Sequence, residues 1–360
     1  MPPIPPPPVV DAALALRRLL LRAADGLLPP WAAVWERTMG IERTHVIGTL
    51  AELGVPDALA GGRATAAELA ARLDVDADTL HRLLRVAALD GIVRVDRRGR
   101  FRLTRLGKTL RSDSPSTLRP WARYMALAST REAWADLTES VRTGRSGFER
   151  VHGMSVWDWF AAHPEEEQLF AAAMRSITEL DAPVIAASSL LPDEGVVCDV
   201  AGGAGTLLGE IMVERPRLRG MLLEAPGVLR EAEKHLSGRG VLDRVELVEG
   251  DLFGELHADA DVYLLKNILH DWDDPTSARI LAGVRATMKP GSRLLVIEQL
   301  QERNEPHPFA SLSDLQMLTQ CVDGRERSRD ELRALISGAG LSPGRVERAG
   351  VSALVEGVAS

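Results

Sequence analysis

Acids and glycines come together at three points of this chain in a pattern that suits one kind of ligand. Residues 196–205 read Val-Val-Cys-Asp-Val-Ala-Gly-Gly-Ala-Gly, so Asp199 stands at the end of an apolar run with Gly202, Gly203 and Gly205 just after it. Glycines there let the backbone approach a nucleotide-type ligand closely. The spacing is not the G-x-G-x-x-G of a dinucleotide fingerprint, and Asp199 would repel a pyrophosphate. The loop therefore suits a ligand with a cationic amino group and no phosphate. Glu224 follows 25 residues after Asp199 at the end of the next apolar run, where a carboxylate can accept from two ribose hydroxyls. After a third run, Gly250-Asp251-Leu252-Phe253 offers a carboxylate and apolar groups to an adenine amino group and ring face. Acids at strand ends are common singly. In this order they describe an adenosine that carries an amino acid.

The elements that must position these groups can be read from the apolar pattern. Runs at 196–200, 220–224, 245–248, 262–265 and 293–298 have the length and composition of buried strands. Helical segments such as 205–214, 226–236 and 275–288 lie between them. That alternation predicts an α/β fold, a doubly wound parallel sheet with helices on both faces. Upstream, 54–111 has a different rhythm. Thr65-Ala66-Ala67-Glu68 is a capping box opening a helix to Leu73. Asp76-Ala77-Asp78-Thr79 caps a second helix, with Leu80, Leu83, Leu84, Ala87 and Leu89 expected on one face and Gly91 as its stop. Two β-like runs, 92–95 and 100–103, are joined by Asp96-Arg97-Arg98-Gly99. Helix, helix and hairpin predict a winged helix-turn-helix.

Two helices are expected before it, at 9–28 and 30–53. The second carries Trp31, Val34, Trp35, Met39, Val46, Ile47 and Leu50 at spacings of three and four. So apolar a helix needs a cover, either its own domain or a second copy of the chain. Six of the first eight residues are Pro, which predicts a polyproline-like or disordered tail. From 112 to 190 the pattern is helical, with bulky side chains that mostly belong to a core.

At 360 residues, 45% apolar and 26% charged, the chain has the material for two domains of a soluble globular protein. Only Cys198 and Cys321 are present, which excludes a disulfide framework and fits a reducing, cytoplasmic setting. No apolar run approaches the roughly 18 residues of a membrane helix, and no signal peptide is evident. The net charge of −8 argues against a nucleic-acid binder, although residues 82–111 hold ten Lys/Arg against Asp90 and Asp96. That stretch keeps DNA binding open, but Asp76 and Asp78 stand at the end of the helix that would enter a groove. No His/Cys cluster has metal-ligand spacing, so no metal is expected.

Residues 264–272, Leu-Leu-Lys-Asn-Ile-Leu-His-Asp-Trp, carry a resemblance that covers nearly the whole chain after the proline tail. With Asp314-Leu315-Gln316-Met317-Leu318 and Gly324-Arg325-Glu326-Arg327-Ser328, they are similar to the S-adenosylmethionine-dependent O-methyltransferases of the dimeric plant-phenolic and bacterial-polyketide type. The resemblance implies S-adenosylmethionine as cofactor and S-adenosylhomocysteine as product. It implies His270 as general base, a role that suits an imidazole with an ordinary pKa near ~6.5. A phenol near ~10 is a poor proton donor to such a base, so alignment of the reactants would carry much of the rate. Glu298 and Glu326 match the family's acids beside the histidine, with Asp271 adjacent. A capping or core histidine is the alternative for His270 taken alone.

Lys266 matches a cofactor-contacting position, and Met174 and Thr178 match another cofactor-facing stretch. Trp157, Phe160, Asp314, Met317 and Leu318 are candidates for the acceptor pocket or, equally, for core. The first glycine of the family's loop is Ala201 here, tolerable if its φ is negative. The implied organisation is a tail at 1–10, a helical and winged-helix dimerisation domain at 11–111, a helical connector at 112–190 that contributes to the acceptor pocket, and a cofactor-binding domain at 191–360. The implied reaction is O-methylation of a phenolic hydroxyl on a small aromatic natural product, of the kind made in polyketide and antibiotic biosynthesis, by a homodimer. Two other readings remain: a hydroxylase- or decarboxylase-type enzyme that keeps the cofactor without transferring its methyl, and a winged-helix regulator with a ligand-sensing domain.

Overall fold

A computed structural model describes residues 7–360. These fall into two compact units, residues 11–131 with 163–177 and residues 132–162 with 178–360, so the helical stretch 112–190 is divided between them. Most of the proline-rich segment lies outside the described residues, but the chain is already helical from Pro7, shorter than the tail expected to residue 10. Among the described residues no helix is long and apolar enough to cross a membrane.

In the first unit the helix expected over 30–53 is two helices, Pro30–Thr38 and Gly40–Glu52, broken at Met39 before a glycine. Leu50 is buried, whereas Trp31 and Trp35 are 65% and 61% exposed and tilt against each other at 6.2 Å. The winged helix forms as read. Thr65 and Glu68 complete a capping box at helix Ala66–Leu73, and Asp76 accepts from the Thr79 N–H to cap helix Ala77–Leu89. Strands β1 (Val93–Val95) and β2 (Phe101–Leu103) pair antiparallel. Leu80, Leu84 and Ala87 are buried as expected, but Leu89 is 85% exposed. Nine residues at about 100° each place Leu89 half a turn away from Leu80, so the two cannot share a face.

The second unit is built on a seven-stranded sheet. Its strands are β3 (Gly195–Val200), β4 (Leu218–Glu224), β5 (Val245–Glu249), β6 (Val262–Lys266), β7 (Arg293–Glu298), β8 (Leu341–Ala349) and β9 (Ser352–Ala359). Their order is β5-β4-β3-β6-β7-β9-β8, parallel as far as β7 and antiparallel at β9 and β8. Consecutive residues feed opposite cores, which is why the central strands read as continuous apolar runs. Val197, Leu222, Leu264 and Leu295 pack on one face with Leu207, Ile211 and Leu236. Cys198, Leu223, Leu265 and Val296 pack on the other with Ile280, Val284 and Ile336. The chain reverses at β3, with β4 on one side and β6 on the other, so the loops at the carboxyl ends of these strands open onto one edge. That edge receives every strand-end acid singled out above.

Candidate active site

At the end of β3 the chain turns through Ala201–Gly205. Gly202 lies against the Asp199 carboxylate and Leu222, and a Cβ there would come 2.7 Å from Leu222. Glu224, the last residue of β4, accepts from the Gly203 N–H at 2.8 Å and from the Ala225 N–H at 2.8 Å, so its carboxylate fixes the loop and keeps lone pairs for a further donor. Asp199 is 2% exposed and its Oδ2 has no partner among the described residues. Burial lifts its pKa to about 7, against the pull of Lys266 and with the help of Glu224. A buried acid lacking a counter-charge, beside a cradle only glycine fits, is what a cationic amino-acid ligand without phosphate requires. Ala201 has φ +56°, so the negative φ that would have made it harmless is not what the chain adopts. Its N–H donates to Leu223 O at 2.8 Å.

Beyond β5, Gly250 leads into Asp251, which is exposed and accepts from the Phe253 N–H at 2.9 Å. Leu252 packs on the second core. Phe253 meets Trp272 edge-on at 5.0 Å, Trp157 stacks on Trp272 at 6.2 Å, and Phe160 lies 6.3 Å from Trp157. One aromatic row thus joins the adenine-side candidates to two acceptor-side candidates through Trp272. At the end of β6, Lys266 is nearly buried and donates to Thr178 Oγ1 at 3.3 Å, with Asp181 Oδ1 3.6 Å away. Asp181 was not singled out in the sequence; it is buried and accepts from Ser352 at 3.0 Å. Met174 lies one turn before Thr178 on helix Pro164–Ala186.

His270 sits in a three-residue helical turn, Leu269–Asp271, just after β6. Its Nδ1 is 3.0 Å from Glu326 Oε1 and 3.5 Å from Glu298 Oε2, and its Nε2 is 3.6 Å from Asp271 Oδ1. Glu298, at the end of β7, also accepts from the N–H groups of Ile268 and Leu269 at 3.2 and 2.9 Å. Glu326 is set by Ser313 Oγ, which donates at 2.6 Å, and by its own N–H, which donates to Asp314 Oδ1 at 2.9 Å. Burial alone would lower the His270 pKa, but Glu298, Glu326 and Asp271 outweigh it and raise it to about 10. Burial in turn lifts Glu298 to about 7. The surrounding carboxylates thus favour the charged form of the imidazole.

Donor atoms of His270, Glu298 and Glu326 all lie within 4.8 Å of one another, a grouping that sequence spacing could not reveal. The 3.0 Å contact between His270 Nδ1 and Glu326 Oε1 is a hydrogen bond. Asp314 and Leu318, with Glu326, line an open cavity of about 350 Å³. Met317 is half-buried on the same helix, Ala310–Gln320.

Comparison with known proteins accounts for this arrangement. Residues 134–342 match the O-methyltransferase domain and residues 35–113 the O-methyltransferase dimerisation domain. A mitomycin biosynthesis 6-O-methyltransferase of Streptomyces lavendulae is 39% identical over 312 residues, 86% of this chain and 87% of that protein. The chain belongs to the O-methyltransferase family, which uses S-adenosylmethionine. Among solved structures, LaPhzM superposes with a TM-score of 0.88 at 33% identity, covering 92% of this chain and all of that one. An O-methyltransferase from neocarzinostatin biosynthesis, solved with S-adenosylmethionine and 2-hydroxy-5-methyl naphthoic acid, gives 0.75 at 32%, covering 88% and 96%. An aclacinomycin 10-hydroxylase of Streptomyces purpurascens is also similar, 34% identical over 81% of this chain and 79% of its own.

Two measurements follow from the glycine loop. Ala201→Gly removes a left-handed alanine that costs about 1–2 kcal/mol, partly offset by a more flexible unfolded chain. The melting midpoint is expected to rise by on the order of 2 °C, with cofactor binding undiminished in calorimetry. Because Asp199 is about half protonated at pH 7, a cationic ligand should favour its ionised form. Binding is then expected to release a fraction of a proton at neutral pH and to weaken as pH falls below 7, read by calorimetry in buffers of different ionisation enthalpy. Asp199→Asn should abolish that release.

Proposed function

We propose that the protein methylates a phenolic hydroxyl of a small aromatic natural product, with His270 as the general base. The observation that carries this reading is the imidazole held at Nδ1 by Glu326 in a buried carboxylate cluster, on the same sheet edge as the unpartnered Asp199. Its support among relatives is that several act on aromatic acceptors in antibiotic biosynthesis, mitomycin and neocarzinostatin among them. S-adenosylmethionine, when bound, supplies a methyl group activated on a sulfonium. Asp199 takes the cofactor's amino group, Glu224 its ribose, and Asp251, Leu252 and Phe253 its adenine. The backbone of Ala201, Gly202, Gly203, Gly205 and Gly250 makes room, and Lys266 and Thr178 complete the binding wall.

The Glu326 carboxylate only accepts, so it keeps the ring proton on Nδ1 and leaves Nε2 to take the hydroxyl proton. Glu298 and Asp271 stabilise the imidazolium that results. Trp157, Phe160, Asp314, Met317 and Leu318 form the acceptor's surroundings, apolar on one side and acidic on the other. The hydroxylase-like relative makes retention of the cofactor without methyl transfer the second reading. Product mass separates the two: methylation adds a net CH2, hydroxylation adds an oxygen atom and decarboxylation removes CO2.

His270→Ala is expected to lower kcat by roughly 10²–10⁴ while cofactor affinity stays nearly intact. Undiminished turnover in that variant would remove the base from the mechanism. In the parent enzyme the base must be neutral, and its pKa is raised to about 10, so kcat should climb with pH through the neutral range and flatten only near pH 10. Glu298→Gln removes the strongest raising charge and should move that limb to lower pH, which ionisation of the phenol itself would not do.

The protein also acts as a homodimer in this reading. Leu19, Leu20, Trp31, Val34 and Trp35 on the first two helices, and Leu27 in the turn between them, are all more than half exposed, an apolar surface of the kind that marks an interaction site. Light scattering at micromolar concentration should give twice the 39.1 kDa chain mass, and Trp31→Glu with Trp35→Glu should shift it toward the monomer. A monomer mass for the parent protein would sink the dimer.

A further inference from the structure

The turn that carries His270 is gripped by three consecutive residues of another loop. The Arg325 N–H donates to His270 O at 2.8 Å, and the Glu326 carboxylate holds His270 Nδ1. The Arg327 guanidinium then takes the carbonyls on either side: Nη1 donates to Leu269 O at 2.6 Å and Nη2 to Trp272 O at 2.7 Å. Nη2 also donates to Ser277 Oγ at 3.1 Å, and Nε donates to Asp274 Oδ1 at 2.9 Å. Arg327 is 2% exposed, yet the carboxylate it pairs with, Asp274, has a side chain 51% exposed at the start of helix Asp274–Thr287. A buried guanidinium is costly to keep unless its donors are satisfied. Here two of its four hydrogen bonds go to backbone carbonyls that bracket the His270–Asp271 pair.

We infer that Arg327 is a positioning residue for the base: its fork spans the carbonyls of Leu269 and Trp272 and sets the turn so that the His270 ring faces Glu326. The inference rests on His270 as base. Leu269–Asp271 is too short to satisfy its own carbonyls as a regular helix would. Glu298 fixes the N–H side of the turn through Ile268 and Leu269, and Arg327 fixes the carbonyl side. The backbone of Arg327 is itself tied to the segment after β7, where Gln301 N–H donates to its carbonyl at 3.1 Å. Both halves of the clamp therefore hang from the strand that ends in Glu298. A planar fork does this in a way that an ammonium, a single point, cannot.

The test is Arg327→Lys, which keeps the charge and loses the fork. The groups that face the ring are Glu298 from β7, Glu326 from the loop, Asp314 behind Glu326, and Asp271 with its Cys321 thiol partner. None of them is altered by the substitution. The His270 ring resonance, identified by its loss in His270→Ala, should titrate in the variant below the parent midpoint and nearer the ordinary 6.5. The acid limb of kcat should move the same way, and kcat at its plateau should fall on the order of 10- to 100-fold, with acceptor KM and cofactor Kd nearly unchanged.

A folded Arg327→Lys protein with parent titration midpoint and parent kcat overturns the inference. Should that variant not fold, Asp274→Ala removes the acceptor of Nε at the exposed rim and should displace the midpoint in the same direction to a smaller extent. An undisplaced midpoint there assigns Arg327 to stability alone and also overturns it. The ring titration is read without turnover, so loss of His270 as base and loss of Arg327 as its positioner are separate results.

Discussion

Three carboxylates around one imidazole, out of water, is the constraint from which the rest of this site follows. Glu298, Glu326 and Asp271 each bring a carboxylate oxygen within 3.6 Å of a His270 ring nitrogen, and their charges favour the imidazolium. That is why burial fails to depress the histidine and why Glu298 itself is pushed up to about 7. The imidazolium is the form these carboxylates favour, so in the proposed reading His270 must first lose a proton before it can take one from a phenol.

Such a cluster works only if its members cannot drift. Its members come from three segments, with His270 and Asp271 sharing one turn, and the backbone helps to anchor them. Glu298 ends a central strand, His270 rides a turn held by Glu298 on one side and by Arg327 on the other, and Glu326 is tied through its N–H to Asp314. Asp199 follows the same electrostatic logic with the opposite outcome. It too is buried and raised to about 7, but its Oδ2 has no hydrogen-bond partner among the described residues, where the cluster around His270 is held by direct contacts to the imidazole.

Much of this was legible in the chain. Strands buried on both faces read as short apolar runs, and β7 begins and ends where those runs do. Helix starts were marked by Thr65 and Asp76, whose caps form. Asp199, Glu224 and Asp251 stand at or just after the ends of apolar runs, so they fall at the carboxyl ends of β3, β4 and β5. Other features had no local signature. β8 and β9 were not read, since Pro343-Gly344 and Glu356-Gly357 interrupt their apolar pattern and a bulge lies between Pro343 and Val346. Leu89 is apolar but falls on the wrong side of its helix. Asp181 and Arg327 matter through partners 171 and 58 residues away at the furthest, which no spacing rule encodes. The strength of His270 as a base is likewise a sum over three chain segments.

Ala201 shows how far neighbours can dictate a backbone against its own residue. An alanine resists a φ of +56°, yet its N–H is held by Leu223 O, Gly202 is pressed between Asp199 and Leu222, and Gly203 N–H is held by Glu224. With both flanks fixed, the turn has no alternative path to helix Thr206–Glu214, whose first residue follows Gly205 in a left-handed conformation. The loop therefore keeps the shape that glycine would give it, and the cost is borne as lost stability at one residue while the cradle beside Asp199 stays intact. A departure at that position alters the fold's margin more than it alters the geometry the ligand meets.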